Sequence, residues 1–193
     1  MAKPNPSPAT SADIEALPPH VTGEIIFGSL VTQPRPAEEH AIAASSLGGV
    51  LHPPFQFGSG GGPGGWLIVD EHQIRLGPHV IVPDLAGWRR ERLTGGPVAD
   101  IVPDWICEVL SPSTGKRDRT DKMRIYAAYG VKFLWLLDPL DFVLEAYRLH
   151  EKSWLLVQTF SDQESVSAPP FDAISFPLGQ LWPLASPSDS LEP

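Results

Sequence analysis

The chain has 193 residues, a formal net charge of −9, 42% hydrophobic and 19% charged residues. That length and balance suit one soluble globular domain with a real core, and the negative charge excludes a broad basic surface that holds nucleic acid by charge alone. The lone Cys107 allows no internal disulfide and points to a reducing, cytoplasmic setting. No run approaches the roughly 18 apolar residues of a spanning helix, and residues 1–19 lack the apolar core of a signal peptide, so no membrane association is expected.

Residues 1–13 and 185–193 are polar and rich in proline and serine, and each is expected to be a disordered tail. The folded domain is expected over 14–184. Val21 to Val31 reads as a first strand, with Gly28-Ser29 turning into a second. Glu24 lies inside it and, on composition alone, reads as a solvent-facing strand acid. Pro34-Arg35-Pro36 stops the strand. Apolar residues at helical spacing (Ala41, Ile42, Ala44, Leu47, Val50, Leu51) predict a helix over 37–51, with Glu38 and Glu39 in its first turn and His40 near its start. A lone histidine there is most often a surface or packing residue.

Pro53 to Gly65 reads as a glycine-dense loop. No Gly-Lys-Ser/Thr follows it, and Gly115-Lys116 is followed by Arg117, so a nucleotide-phosphate cradle is rejected. Trp66 to Val69 is a strand, and 73–76 and 79–82 are short extended pieces. The apolar run Val80 to Trp88 carries one acid, Asp84, and an exposed basic patch, Arg89, Arg90 and Arg92, follows. Trp105 to Leu110 is a buried strand holding Glu108, ended by Ser111-Pro112. A helix is predicted over about 119–129, with Met123, Tyr126, Ala127 and Tyr129 inward and Gly130 capping. Val131 to Leu137 is a buried strand; 142–149 and 153–160 form a hairpin. Residues beyond 165 close the fold as a loop, with a short segment at 179–182. The order gives a mixed α/β (α+β) class: a central mixed sheet flanked by helices.

A carboxylate in a buried strand costs several kcal/mol to ionise without a partner or a metal, so Glu108 needs an explanation. Asp84 stands 24 positions earlier on a strand joined to it by one connection, and such strands are commonly neighbours. Two adjacent carboxylates share a proton or a divalent cation, and acid oxygens favour Mg²⁺. Asp118, Lys122 and Tyr126 at i, i+4 and i+8 share a helix face, where Lys122 could orient water or stabilise charge on a phosphate. On spacing alone Asp118 and Lys122 equally read as an ordinary surface pair. Eight of the 14 Lys and Arg residues (Arg89, Arg90, Arg92, Lys116, Arg117, Arg119, Lys122, Arg124) follow one of the two acidic strand ends, which suits a phosphodiester substrate.

The segment Glu108-Val109-Leu110-Ser111-Pro112-Ser113-Thr114, followed by Arg117-Asp118, Lys122, Tyr126, Gly130-Val131, Trp135 and Asp138-Pro139, resembles the Uma-type restriction endonuclease family of the PD-(D/E)XK nuclease superfamily. Pro83-Asp84 resembles its Pro-Asp element, Glu24 with Gly28 its N-terminal strand, and His40 the histidine of its first helix. The resemblance covers residues from about 20 to 150. It implies a restriction-endonuclease-like fold and Mg²⁺-dependent cleavage of DNA, with Mn²⁺ as a substitute. It further implies Asp84 and Glu108 as metal ligands, Glu24 as an added ligand, Lys122 as the motif lysine, and Asp118 and Tyr126 as its supports. Leu110 stands where the superfamily pattern has its lysine, and the family pattern moves that lysine to the following helix. The implied chemistry is hydrolysis by water activated at the ion and positioned by Lys122.

Two rivals stand beside this reading. The charge of −9, Leu110 and the proline-rich tails suit a nuclease fold kept as an inactive binding or assembly module. A metal hydrolase acting on small phosphate esters is the other. A homodimer is expected on symmetry grounds, since two subunits supply two cuts.

Overall fold

The computed structural model describes residues 7–33 and 36–184. Pro34 and Arg35, expected to stop the second strand, and the tail 185–193 lie outside the described residues. Helical structure is present before residue 14, where the folded domain was expected to begin. Helix α1 spans Ser11–Glu15, and the Thr10 amide and hydroxyl both donate to Asp13 Oδ2, at 2.7 and 2.8 Å.

A central mixed sheet holds six strands: β3 (Trp66–Asp70), β6 (Leu85–Arg89), β7 (Trp105–Val109), β8 (Phe133–Asp138), β9 (Val143–His150) and β10 (Ser153–Ser161). They lie in the order β10-β9-β8-β7-β6-β3. Only β7 and β8 pair in parallel, joined by a helical crossover; the other neighbours are antiparallel. A second sheet, β2-β1-β5-β4, combines the hairpin β1 (Thr22–Ile26) and β2 (Ser29–Gln33) with β4 (Ile74–Leu76) and β5 (His79–Ile81). Phe27 and Gly28 turn the first hairpin, both with positive φ (49° and 77°), the geometry whose twist matches paired strands.

Strand β7 is buried along its whole length, as its uninterrupted apolar run requires. Its alternation sorts the core into two faces. Trp105, Cys107 and Val109 join a cluster with helix α2 (Glu38–Leu51) and the C-terminal segment, whereas Ile106 and Leu110 join Ile125, Tyr126, Leu134 and Leu136 on the other side. The C-terminal segment, expected only as a closing loop, contributes core. Phe171 sits 4.8 Å from Trp105, 4.9 Å from Trp66 and 4.6 Å from Phe55, centroid to centroid. Such aromatic pairs add about 0.5–1.5 kcal/mol each beyond buried area.

Both long helical predictions run past their expected ends. Beyond Leu51 the chain keeps turning through His52–Gln56 instead of opening into a loop at Pro53. Pro53 and Pro54 bring no N–H, so the turn widens, and Phe57 N–H donates to the His52 carbonyl five residues back at 3.0 Å. After β7, the segments Gly115–Arg117, Asp118–Lys122 and Met123–Tyr129 join into one site helix that begins about four residues before the predicted start. Gly130, at φ 83°, ends it in the left-handed region as expected. Tyr129, expected inward, is exposed.

Asp104 ties three strands together at the entrance of β7. Its Oδ2 lies 2.7 Å from Arg92 Nη1 and accepts the Arg89 amide at 3.0 Å, and its Oδ1 accepts Lys132 Nζ at 2.9 Å. Burial works against its charge, but the Arg89 amide, Lys132 and Arg92 outweigh burial and hold the carboxyl below the usual range. A carboxyl held low when folded binds fewer protons than the unfolded chain. Its contribution is therefore present above the unfolded value near 3.8 and is lost as pH falls through the folded one. Asp104→Asn is expected to lower stability by about 1.5–3 kcal/mol at neutral pH. Urea unfolding should show the difference from wild type shrinking at pH values below the ordinary carboxylate range.

Candidate active site

Glu108 points to the face of β7 that carries Ile106 and Leu110, toward the site helix and the second sheet. There it meets Lys122, which is 2% exposed. Lys122 Nζ lies 3.1 Å from Glu24 Oε1, 3.2 Å from Glu108 Oε2 and 3.5 Å from Asp118 Oδ1. This is not the exposed Asp118–Lys122 pair that spacing alone allowed. Nor does Glu24 face solvent: it is fully buried, and its Oε1 also accepts the Val82 amide at 2.8 Å, just past β5. Tyr126, one turn beyond Lys122, donates its hydroxyl to Glu108 Oε1 in a short hydrogen bond. One helix face thus presents Asp118, Lys122 and Tyr126 to acids from two sheets.

Asp84 completes the group from the start of β6. Leu85 pairs with Cys107 in the antiparallel ladder, so continuing the register sets Asp84 opposite Glu108. The ladder ends there, and Asp84 Oδ2 accepts the Val109 amide at 2.7 Å in its place. Its Oδ1 lies 3.1 Å from Nε2 of His40, which comes from the first turn of α2. His40 is therefore a buried partner of an acid and not a surface histidine. A cavity of about 270 Å³ opens onto Asp84 and His40. Glu71, Ser111, Ser113 and Thr114 also line it; Glu71 did not stand out in the sequence, and the three hydroxyl residues entered only as part of the segment that carries the family resemblance. Glu71 lies in a polar turn, and the composition of 111–114 marks only the end of a strand, with no role assigned to its hydroxyls.

Four carboxylates, Glu24, Asp84, Glu108 and Asp118, face the single ammonium of Lys122. Burial alone would strip the lysine of its proton, but Glu108, Glu24 and Asp118 outweigh it and raise its pKa. Burial pushes Glu108 well up; Lys122 opposes that shift, and Asp118, Asp84 and Glu24 add to it. Burial likewise raises Asp118 against the pull of Lys122. Tyr126 is pushed well up by burial and by Glu108, so it acts as a neutral donor. At His40 burial favours the neutral ring, but the hydrogen bond and charge of Asp84 prevail and raise its pKa. A buried excess of carboxylate over cation is a donor set suited to a hard divalent ion. Among the described residues, however, no three acid, histidine or cysteine side chains already stand together as a ready-made metal cage.

The expected basic rim does not surround the cavity: among the described residues, no lysine or arginine lines it. Arg89, Arg90 and Arg92 lie at the far end of β6, five or more residues past Asp84, which at ~3.3 Å per residue is roughly 16 Å away. There Arg89 stacks on Trp66 at 4.2 Å, Arg90 Nε donates to the Trp66 carbonyl at 2.8 Å, and Arg92 pairs with Asp104. These three residues support the scaffold. Of the basic residues on the site helix, Lys122 is buried among the carboxylates, and Arg119 and Arg124 line a separate groove on the helix's outer face.

A mixed sheet with a helical crossover, carrying acids at the ends of neighbouring strands and a lysine on the following helix, defines a nuclease-fold protein. A solved structure with this architecture, described as a putative nuclease belonging to DUF820 from Anabaena variabilis ATCC 29413, superposes with a TM-score of 0.68. The match covers 91% of this chain and 98% of that one at 22% sequence identity. Residues 11–179 match the family described as Uma2, putative restriction endonuclease, and the chain belongs to that family. No curated protein matches the chain.

Removing Lys122 tests how much the cluster depends on it. Lys122→Met leaves three buried acids facing no cation and is expected to cost about 3–5 kcal/mol. Glu24→Gln keeps an oxygen for the Val82 amide and should cost less. Urea denaturation at neutral pH measures both, and a Lys122→Met protein as stable as wild type would remove the cluster from any structural role.

Proposed function

We propose that the protein is a Mg²⁺-dependent DNA endonuclease. The observation that carries this reading is the position of Asp84. It is the one carboxylate of the cluster that reaches the open cavity, and it sits one ladder step from buried Glu108. Asp84 and Glu108 would hold the ion, with Glu24 contributing charge from behind Lys122. Mn²⁺ fits the same oxygen donors. The ion would supply neutralisation of the scissile phosphate and a lower pKa for the attacking water.

The remaining work falls to the side chains. Lys122 would turn one N–H from its carboxylate partners toward the water or a phosphate oxygen, Tyr126 fixes the orientation of Glu108, and His40 fixes that of Asp84. The hydroxyls of Ser111, Ser113 and Thr114 cluster on the cavity wall, Ser111 Oγ lying 3.0 Å from each of the other two, where they can donate to phosphate oxygens. We place the chain in the cytoplasm, supported by its one buried, unpaired cysteine. No helix of the described residues is long and apolar enough to cross a membrane. We further propose a homodimer through β10. That edge strand carries no charge or proline over Ser153–Ser161 and exposes Leu155, Leu156 and Val157, a poorly protected edge for a chain that stays single.

One observation favours a second reading, an inactive nuclease-fold module. Lys122 already has three carboxylate neighbours and Glu108 is held by Lys122 and Tyr126, so part of the cluster is satisfied without an ion. Plasmid nicking with Mg²⁺ or Mn²⁺ separates the two. Wild type should relax supercoiled DNA, and Asp84→Ala and Glu108→Gln should reduce the rate by at least about 100-fold, a loss of about 2.7 kcal/mol in transition-state stabilisation. Activity equal to wild type in both variants would sink the site assignment. Calorimetric titration with no ion binding to a folded protein would favour the inactive module.

A further inference from the structure

The outer face of the site helix carries a second feature that the catalytic reading leaves unused. Lys122 and Tyr126 turn inward, which sets Arg119, Thr120, Met123, Arg124, Ala127 and Ala128 outward against the β9–β10 hairpin. Between helix and hairpin lies an open groove of about 650 Å³, completed by Lys152, Ser153 and Trp154. No acid lines it, although the chain carries a net charge of −9. The other grooves differ: Asp84 and Glu71 line the catalytic cavity, and Glu38 and Glu39 line an apolar one beside Trp182.

The groove's walls are fixed. Trp154 Nε1 donates to the Met123 carbonyl at 2.8 Å, pinning the hairpin to the helix. Its cations are partly free. Arg119 lies 2.5 Å from Glu145, but Arg124 and Lys152 are exposed and pair with no carboxylate among the described residues. In sequence, Arg124 and Lys152 are neighboured by Asp121, half-buried on the helix, and by Glu151 at the hairpin tip. From Thr120 to Ala128 the helix runs ~12 Å, about three to four nucleotide steps of 3.4 Å. The groove also continues toward the catalytic cavity. Arg119 borders a smaller depression with Ser111 and Pro112, which themselves line the cavity of Asp84. Asp138 and Asp141 line that middle stretch, so it offers phosphates no seat.

We propose that the groove between the site helix and the β9–β10 hairpin is a second DNA contact, in which Arg119, Arg124 and Lys152 seat the sugar-phosphate backbone away from the scissile bond. The contact deepens the nuclease reading and rests on it for the identity of the polyanion. It reads no base sequence, because its donors are flexible cations and not a base-edge surface. It gives an acidic protein local purchase on DNA, and it sits on the same helix that holds Lys122.

The test is fluorescence anisotropy of a short labelled duplex, with calcium in place of magnesium so that binding is read without relying on turnover. Wild type, Arg124→Ala/Lys152→Ala and the control Arg75→Ala are compared across a salt series. Arg75 lies on β4 and pairs with Asp100. The double variant should bind roughly tenfold more weakly at low salt, with a salt slope shallower by about 2, one unit per lost phosphate contact. Arg75→Ala should bind as wild type. Both groove positions are exposed, and thermal melts check that the variants fold. Wild-type affinity and slope in the double variant would overturn the groove, even if Asp84→Ala abolishes nicking. Equal weakening by Arg75→Ala, or no DNA binding by wild type, would overturn it too. Salt-sensitive binding through the groove in a protein that never nicks DNA would leave the groove standing and remove the nuclease reading.

Discussion

Lys122 is the hinge of the structure because an ammonium at 2% exposure survives only with close negative partners. Those partners come from three places: Glu24 from the second sheet, Glu108 from the centre of the main sheet, and Asp118 from one turn earlier on the same helix. The same contacts that keep the lysine charged dock the small sheet against the large one at this point. Asp84, one ladder step from Glu108, extends the group to the surface through His40. The interior of the fold and the floor of its cavity are therefore one electrostatic unit.

That unit is unbalanced. Four carboxylates outnumber one lysine, and burial pushes Glu108 and Asp118 upward because their full ionisation is unfavourable without more positive charge nearby. Both readings of the protein start from this imbalance. A divalent ion entering at Asp84 would relieve it, which supports the proposed nuclease. The hydrogen bond from Tyr126 and the contacts of Lys122 already relieve part of it, which supports a retained but inactive fold.

Much of the fold was legible in the sequence because its signals are local. Continuous apolar runs marked β7 and β8, helical spacing marked α2, and Gly130 marked the end of the site helix. The errors fell where local pattern and three-dimensional context diverge. Pro53 and Pro54 read as a stop but are absorbed by a widened turn. The segment after Ser165 reads as a loop, yet Phe171 fills the space between Trp66 and Trp105. Arg89, Arg90 and Arg92 stand near Asp84 in sequence, and an extended strand carries them to the opposite end of the sheet.

The site divides in the same way. The sequence by itself determined that Glu108 would be a buried acid, since no solvent-facing position exists in an apolar central strand. It also determined that Asp118, Lys122 and Tyr126 would share a helix face, since a period of 3.6 residues fixes that. It could not determine that Glu24, 98 positions before Lys122, would be fully buried against it. On its own strand Glu24 is one acid beside Gly23 and Ile25, and the local pattern does not say whether solvent or core will face it. The pairing of β1 with β2 and β5 and the packing of that sheet against the site helix bury β1 on both faces from Gly23 to Ile26 and so enclose Glu24. The tertiary structure likewise settled that His40 meets Asp84 and that Arg119 and Arg124 of the site helix line a groove without acids. Such facts depend on which distant surfaces meet, and no local pattern in the chain encodes them.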